Sequence, residues 1–166
     1  MSFLLDTNIL SEHLHRPSGL IHRFTQYSGP LYTSSISLSE LYIWAFNRLD
    51  PDPTDAAIER LLTYEVGIVP LDAECAREFG RVRVQLRRSG VSVDSMDLLI
   101  ASTALAYDLT LVTQNTAHFV GVPNLRLDDW IKPELYTSCD FESSGTRFHI
   151  QTIGLRQPLS PRRPSL

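Results

Sequence analysis

Apolar and polar positions along the chain fall into short apolar runs separated by longer stretches in which apolar residues recur at helical spacing. Phe3–Leu5, Leu31–Thr33, Val66–Pro70 and Leu109–Val112 read as strands, the first and third without the alternation of a half-exposed strand and so buried on both faces of a parallel sheet. Ile9–Leu14, a second stretch to about Tyr27, Ser37–Leu49, Ala56–Glu65, a helix capped by Asp72 and running to Arg88, and one from Asp94 or Ser95 to about Tyr107 read as helices. Pro17-Ser18-Gly19, Gly29-Pro30, Pro51 with Pro53, and Gly90 punctuate them. A short strand at Leu125–Leu127 closes the series. Strand and helix alternate throughout, which predicts an α/β fold: a three-layer α/β/α sandwich with a central parallel sheet. Beyond about Pro133 the chain turns to Ser, Pro and Arg with too little apolar surface to pack. The expected division is therefore a domain over residues 1–132 and a poorly ordered C-terminal extension over 133–166, with Arg147–Ile153 able to add one strand. No internal repeat is present.

The 166 residues, 43% hydrophobic and 20% charged, suffice for one domain with its own core. Two cysteines, Cys75 and Cys139, are too few and too far apart for a disulfide framework or a structural zinc site, which fits a reducing compartment. Phe3-Leu4-Leu5 meets an acid at once, and nothing approaches the ~18 continuous apolar residues of a membrane span, so a cytoplasmic protein with no membrane association is expected. With a net charge of −4, any nucleic-acid contact must come from a local basic face. Fourteen of the fifteen basic residues are Arg, and Lys132 is the exception. That scarcity counts against phosphotransfer domains of the receiver or haloacid-dehalogenase type, which need a lysine, as does Asn8 where the second acid of a D-x-D would stand. No glycine-rich phosphate loop of either common pattern occurs.

Four positions carry acids, or an amide, where apolar surroundings make them conspicuous. Asp6 ends the first strand, where ligands of open α/β sheets bind, although Asp is also a favoured helix N-cap. Glu40 stands directly before the uncharged run Leu41–Phe46, in a helix that should be buried on most of its circumference; the alternative is a capping box with Ser37. Asp97 lies near the start of another apolar helix, with Asp94 three residues earlier as the better cap and Asp97 as the inward group. Asn115 follows the fourth strand, where a turn role is the plain alternative. Each position alone is ambiguous, but a parallel sheet gathers such ends at one edge, and random caps need not converge. Ionised acids sharing a crevice call for a cation, and oxygen-only donors suit Mg²⁺ or Mn²⁺ over Zn²⁺. The histidines offer no rival metal site: His13 and His15 face different ways on a helix, and His22, His118 and His149 are scattered, so all read as surface or packing residues.

Leu5-Asp6-Thr7-Asn8, Ser39-Glu40-Leu41, Asp97-Leu98-Leu99-Ile100-Ala101, Thr113-Gln114-Asn115-Thr116 with His118-Phe119, Val122-Pro123-Asn124-Leu125 and Asp129-Trp130 together resemble the PIN-domain family, in particular its VapC-type toxin ribonucleases. The blocks occur in the family's order over residues 1 to about 131. The resemblance implies a three-layer α/β/α domain and a metal-dependent endoribonuclease with Mg²⁺ or Mn²⁺ at the acidic cluster. It also implies a homodimer, RNA as substrate, and a small antitoxin protein that inhibits it in a type II toxin-antitoxin pair. Carried over by position, Asp6, Glu40 and Asp97 match the metal-binding acids and Asn115 completes the catalytic set. Asn115 stands where many relatives have Asp, which removes one formal charge.

The helix from Asp72 to Arg88, where Arg77, Arg81, Arg83, Arg87 and Arg88 outnumber the acids, is one candidate for substrate contact, and a solvated face is at least as good a reading, because acids first and arginines last is what the helix dipole favours. The apolar helices from Ala56 and around Tyr42–Phe46 are core or else dimer or antitoxin surfaces. The rival to the enzyme is a catalytically degenerate PIN-like protein that acts as an antitoxin- or RNA-binding module.

Overall fold

The computed structural model describes residues 2–27 and 31–131. All belong to the first of the two units into which the chain divides, Met1–Glu134 and Leu135–Leu166. The expected disordered extension over 133–166 and its strand at Arg147–Ile153 lie outside the described residues.

The elements are β1 (Phe3–Leu5), α1 (Thr7–His15), α2 (Pro17–Gln26), β2 (Leu31–Ser34), α3 (Ser35–Phe46), α4 (Asp52–Tyr64), β3 (Gly67–Val69), α5 (Ala73–Arg88), α6 (Ser95–Ala106), β4 (Thr110–Val112), α7 (Thr116–Phe119) and β5 (Leu127–Asp128). All five strands are parallel, in the order β3-β2-β1-β4-β5. Side chains of a strand alternate between faces. Phe3 and Leu5 therefore pack on one side with Ile9, Leu20, Leu41 and Ile58 from α1 to α4, while Leu4 packs on the other with Val82, Leu86, Leu98 and Phe119 from α5 to α7. Leu111 and Val112 of β4 divide in the same way. The result is the expected three-layer sandwich, because a central strand apolar on both faces needs a helical layer on each.

Several local expectations are corrected. Val66–Pro70 is not a buried strand: β3 is the edge of the sheet, with Ile68 48% exposed. Only Arg16 separates α1 from α2, since Pro17 opens the second helix, where its missing N–H and fixed φ are harmless. The helix after β2 starts at Ser35 and not Ser37: the Ser34 hydroxyl accepts from the Ser37 N–H at 2.9 Å, so Ser34 is the cap. Nor is α3 buried on most of its circumference. Leu41 and Ala45 are sealed, but Ile43 and Phe46 are 69% and 62% exposed. The last strand is Leu127–Asp128 in place of Leu125–Leu127. By contrast α6 is buried almost all round, and its Ser102 and Thr103 hydroxyls are satisfied by donating to Leu98 and Leu99 carbonyls one turn back.

Gly90 ends α5 with a φ of +71°, the left-handed conformation that glycine adopts without strain. Asp72 caps the same helix as expected: Oδ1 accepts from the N–H groups of Glu74 and Cys75 at 3.1 and 3.0 Å, and Oδ2 accepts from the Tyr107 hydroxyl. The Tyr107 bond and then the backbone donors hold the Asp72 carboxyl down at about 2, and the same contact pushes the Tyr107 phenol up to about 12. A carboxyl depressed in the fold contributes stability above its ordinary value of 3.8, and that contribution is lost as pH falls toward 2. Asp72→Ala is therefore expected to lower the urea midpoint at pH 7, with the difference from the parent chain shrinking between pH 4 and pH 2. A gap independent of pH would show that the charge plays no part.

Candidate active site

In this sheet β1 lies between β2 and β4, so the chain builds outward through β2 and β3 and then crosses back to the other side of β1. Ligands of open α/β sheets bind at such a reversal, beyond the carboxyl ends of the strands. Asp6 follows β1 there and Thr113 follows β4, and the two meet. Asp6 is 6% exposed. Its Oδ1 accepts from the Thr7 N–H at 2.8 Å, and its Oδ2 accepts from Asn8 Nδ2 at 2.8 Å and from the Thr113 hydroxyl at 2.7 Å. Asn8 also donates to Thr113 Oγ1 at 3.0 Å and accepts from the Gln114 N–H at 3.0 Å, while the Asn115 N–H donates to Thr113 Oγ1 at 3.1 Å. Asp6 is thus the cap of α1, as its position alone suggested, and also the centre of a network joining the loops after β1 and β4.

Burial raises the proton affinity of the Asp6 carboxyl, the donors from Thr113 and Thr7 oppose that, and the negative charge of Asp97 adds to it. Asp97 is accordingly within electrostatic reach, brought there from the first turn of α6. As expected, Asp94 is the cap of that turn, accepting from the Met96 N–H at 2.8 Å; Asp97 has a different partner, His118 Nδ1 at 3.2 Å from Oδ2. Glu40 does not close a capping box with Ser37. Its Oε2 accepts from the Thr7 hydroxyl at 2.6 Å, so it is tied to the residue that follows Asp6. The Asn115 side chain is exposed at the start of α7 and contributes no capping bond.

Thr7 thus joins Glu40 to Asp6, through its hydroxyl and its N–H, and the charge of Asp97 bears on Asp6. Among the described residues, no three of His, Cys, Asp and Glu are gathered closely enough to hold an ion as the side chains stand. The donor chemistry nevertheless fits a hard divalent cation. A buried carboxyl whose ionisation is opposed by burial and by a second acid is one whose charge a cation would stabilise.

Sequence reasoning missed Thr7, Asn8 and Thr113 as site residues; His118, read as a surface or packing residue, is at the surface and also pairs with Asp97. His13 does pack, buried against Phe24 with ring centroids 3.8 Å apart and with Nε2 3.3 Å from Glu65. On α5, Arg77 and Arg81 pair with Glu74 and Glu78, and Arg83 donates to the Val93 carbonyl and to Ser95. Arg87 and Arg88 remain on the exposed last turn, beside a shallow groove of about 330 Å³ that they line with Val84.

A sheet of this order with acids at the β1/β4 reversal defines a class, and comparison with known proteins agrees: the model of the PIN domain family matches residues 3–123, and the chain belongs to that family. Among curated relatives, the tRNA(fMet)-specific endonuclease VapC of Shigella flexneri is 34% identical over 131 residues, covering 78% of this chain and 98% of that protein. Ribonuclease VapC2 of Haemophilus influenzae is 32% identical over 132 residues, 79% of this chain and 99% of its own. Among solved structures, DNA-bound VapBC from Salmonella typhimurium superposes with a TM-score of 0.73 at 30% identity over 78% of this chain and 98% of that one. VapBC-1 from nontypeable Haemophilus influenzae gives 0.71 at 29% identity over 80% and 100%.

Proposed function

We propose that the protein is a metal-dependent endoribonuclease that hydrolyses RNA phosphodiester bonds and serves as the toxin of a type II toxin-antitoxin pair. What supports the reading is the meeting of the loops after β1 and β4 at the reversal of the sheet, where buried Asp6 is held by Thr7, Asn8 and Thr113 and feels the negative charge of Asp97, in a chain that matches VapC ribonucleases over nearly their whole length. Asp6 and Asp97 are the residues to hold Mg²⁺ or Mn²⁺, with Glu40 as the third acid, and Asn115 is the residue assigned to orient a water by hydrogen bonding. A divalent ion at such a site lowers the pKa of water and offsets the negative charge that grows on the phosphate. The chain's own part is to fix the acids. Three donors hold Asp6 in place and partly offset the burial that opposes its ionisation, and Thr7 holds Glu40. The Arg87 and Arg88 side chains supply a local basic surface for the RNA backbone in a chain of net negative charge.

The nuclease domain is read as residues 1–132, with 133–166 as an extension. No helix among the described residues is long and apolar enough to cross a membrane. A cytoplasmic homodimer covered by a small antitoxin is part of the same proposal. The exposed apolar side chains of Ile43 and Phe46 on α3 are surface that such a partner would bury, and the solved neighbours are VapBC assemblies. Incubation of the purified chain with RNA, beginning with a tRNA(fMet) transcript, is expected to yield internal cleavage with Mn²⁺ or Mg²⁺. EDTA should abolish the cleavage and excess Mn²⁺ should restore it. RNA bound but left intact in Mn²⁺ would instead establish the non-cleaving, RNA-binding alternative.

A further inference from the structure

We propose that His118 is a positioning residue: its imidazole sets the Asp97 carboxylate in the orientation that receives the divalent ion. The proposal rests on the metal-dependent reading above.

The three acids are held unequally. Among the described residues, Asp6 has three donors and Glu40 has the Thr7 hydroxyl, whereas Asp97 has one side-chain partner, His118 Nδ1, on Oδ2. Asp94 already caps α6, so the helix start makes no claim on Asp97. Without His118 the Asp97 side chain, 26% exposed, would keep the rotational freedom of a surface aspartate and would have to surrender it when an ion binds. The backbone at His118 is well anchored. Its N–H donates to the Asn115 carbonyl at 3.0 Å, and the next residue, Phe119, is buried in the core shared with α6. One oxygen of Asp97, Oδ2, is thus engaged by the imidazole, an arrangement by which groups around metal sites orient the ligands themselves. The His118 side chain is 57% exposed, and an ion pair so exposed contributes little to folding. Stability therefore gives no sufficient reason for it.

The test compares His118→Ala, His118→Asn and His118→Gln in the full chain. Asn places an amide donor close to where Nδ1 stands, and Gln carries its donor one bond further out. Mn²⁺ binding is measured by electron paramagnetic resonance, cleavage is measured as a function of Mn²⁺, and thermal midpoints are taken in EDTA. His118→Ala is expected to weaken Mn²⁺ binding about 10-fold and to raise the Mn²⁺ needed for half-maximal cleavage by the same factor. The KM for RNA and kcat at saturating Mn²⁺ should stay near those of the parent chain, as should the thermal midpoint. His118→Asn should restore Mn²⁺ binding and His118→Gln should not. Unchanged Mn²⁺ affinity in His118→Ala, or a raised KM for RNA with unchanged Mn²⁺ affinity, overturns the role while leaving the nuclease reading intact. A parent chain that binds no Mn²⁺ overturns both.

Discussion

Asp6→Asn is expected to reduce RNA cleavage at least ~100-fold, because loss of groups that merely support metal ligands already costs 10–100-fold and Asp6 is the acid on which the site is built. The substitution conserves shape, so the loss should come from charge and not from collapse. Stability provides the independent readout, and its sign can be worked out. Burial raises the Asp6 carboxyl above its ordinary value, so the metal-free fold is favoured while Asp6 is protonated and loses stability as pH rises through the raised value. An amide does not titrate and shows no such loss. It does sacrifice one of the three donors, at a cost of about 1 kcal/mol, since it offers one acceptor atom where the carboxylate offers two. In EDTA the difference in thermal midpoint between Asp6→Asn and the parent chain should therefore shift toward the variant as pH is raised from 4.5 to 7.5. A pH-independent difference, or cleavage that survives the substitution, would remove Asp6 from the centre of the site.

Much of this architecture is legible in the sequence because a doubly covered parallel sheet leaves few options. Phe3-Leu4-Leu5 is apolar on consecutive positions, which only a strand between two layers tolerates, and an acid directly after it must face the strand's open end. The ordering of Asp94 and Asp97 is readable for a similar reason: a helix has one cap, and the acid one turn later is free for another partner.

What stayed hidden is mostly tertiary. Ser34 and Ser37 are both good caps on paper, and only the direct passage of β2 into α3, without a loop, makes Ser34 the cap and frees Glu40 for Thr7. Thr113 holds the loops together through a hydroxyl that no composition or spacing distinguishes from other threonines. His118 becomes informative only once α7 is seen packed beside α6, 21 positions from Asp97. The apolar run Leu41–Phe46 suggests complete burial, but a helix in an outer layer has one side with nothing to cover it, and Ile43 and Phe46 fall there.

Asn8→Asp, a change of one amide to one carboxylate, is expected to be more damaging than Asn8→Ala even though it retains an additional hydrogen bond. The Asn8 amide donates to Asp6 Oδ2 and to Thr113 Oγ1, and its oxygen accepts from the Gln114 N–H. An aspartate keeps the Gln114 bond but sets a second anion against the buried Asp6 carboxylate, which already feels Asp97. Thr113 cannot relieve this. Its single proton is donated to Asp6, and it has lost the donor that Asn8 supplied. An uncompensated charge of this kind costs about 3 kcal/mol, whereas removal of the hydrogen bonds by alanine costs about 1–2 kcal/mol, since Gln114 is exposed and water can replace its partner. Urea denaturation in EDTA at pH 7.5 should rank the parent chain above Asn8→Ala, and Asn8→Ala above Asn8→Asp. The Asn8→Asp deficit should shrink as pH falls from 7.5 toward about 4, because carboxyls raised in the fold take up protons above their ordinary value of 3.8, stabilise the fold when protonated and lose that contribution as pH rises. This chain has an amide at the position where a D-x-D motif would have its second acid. If Asn8→Asp were as stable as the parent chain at neutral pH, the hydrogen bond that orients Asn8 toward Asp6 would be wrong, and with it the account of how this site holds its central acid.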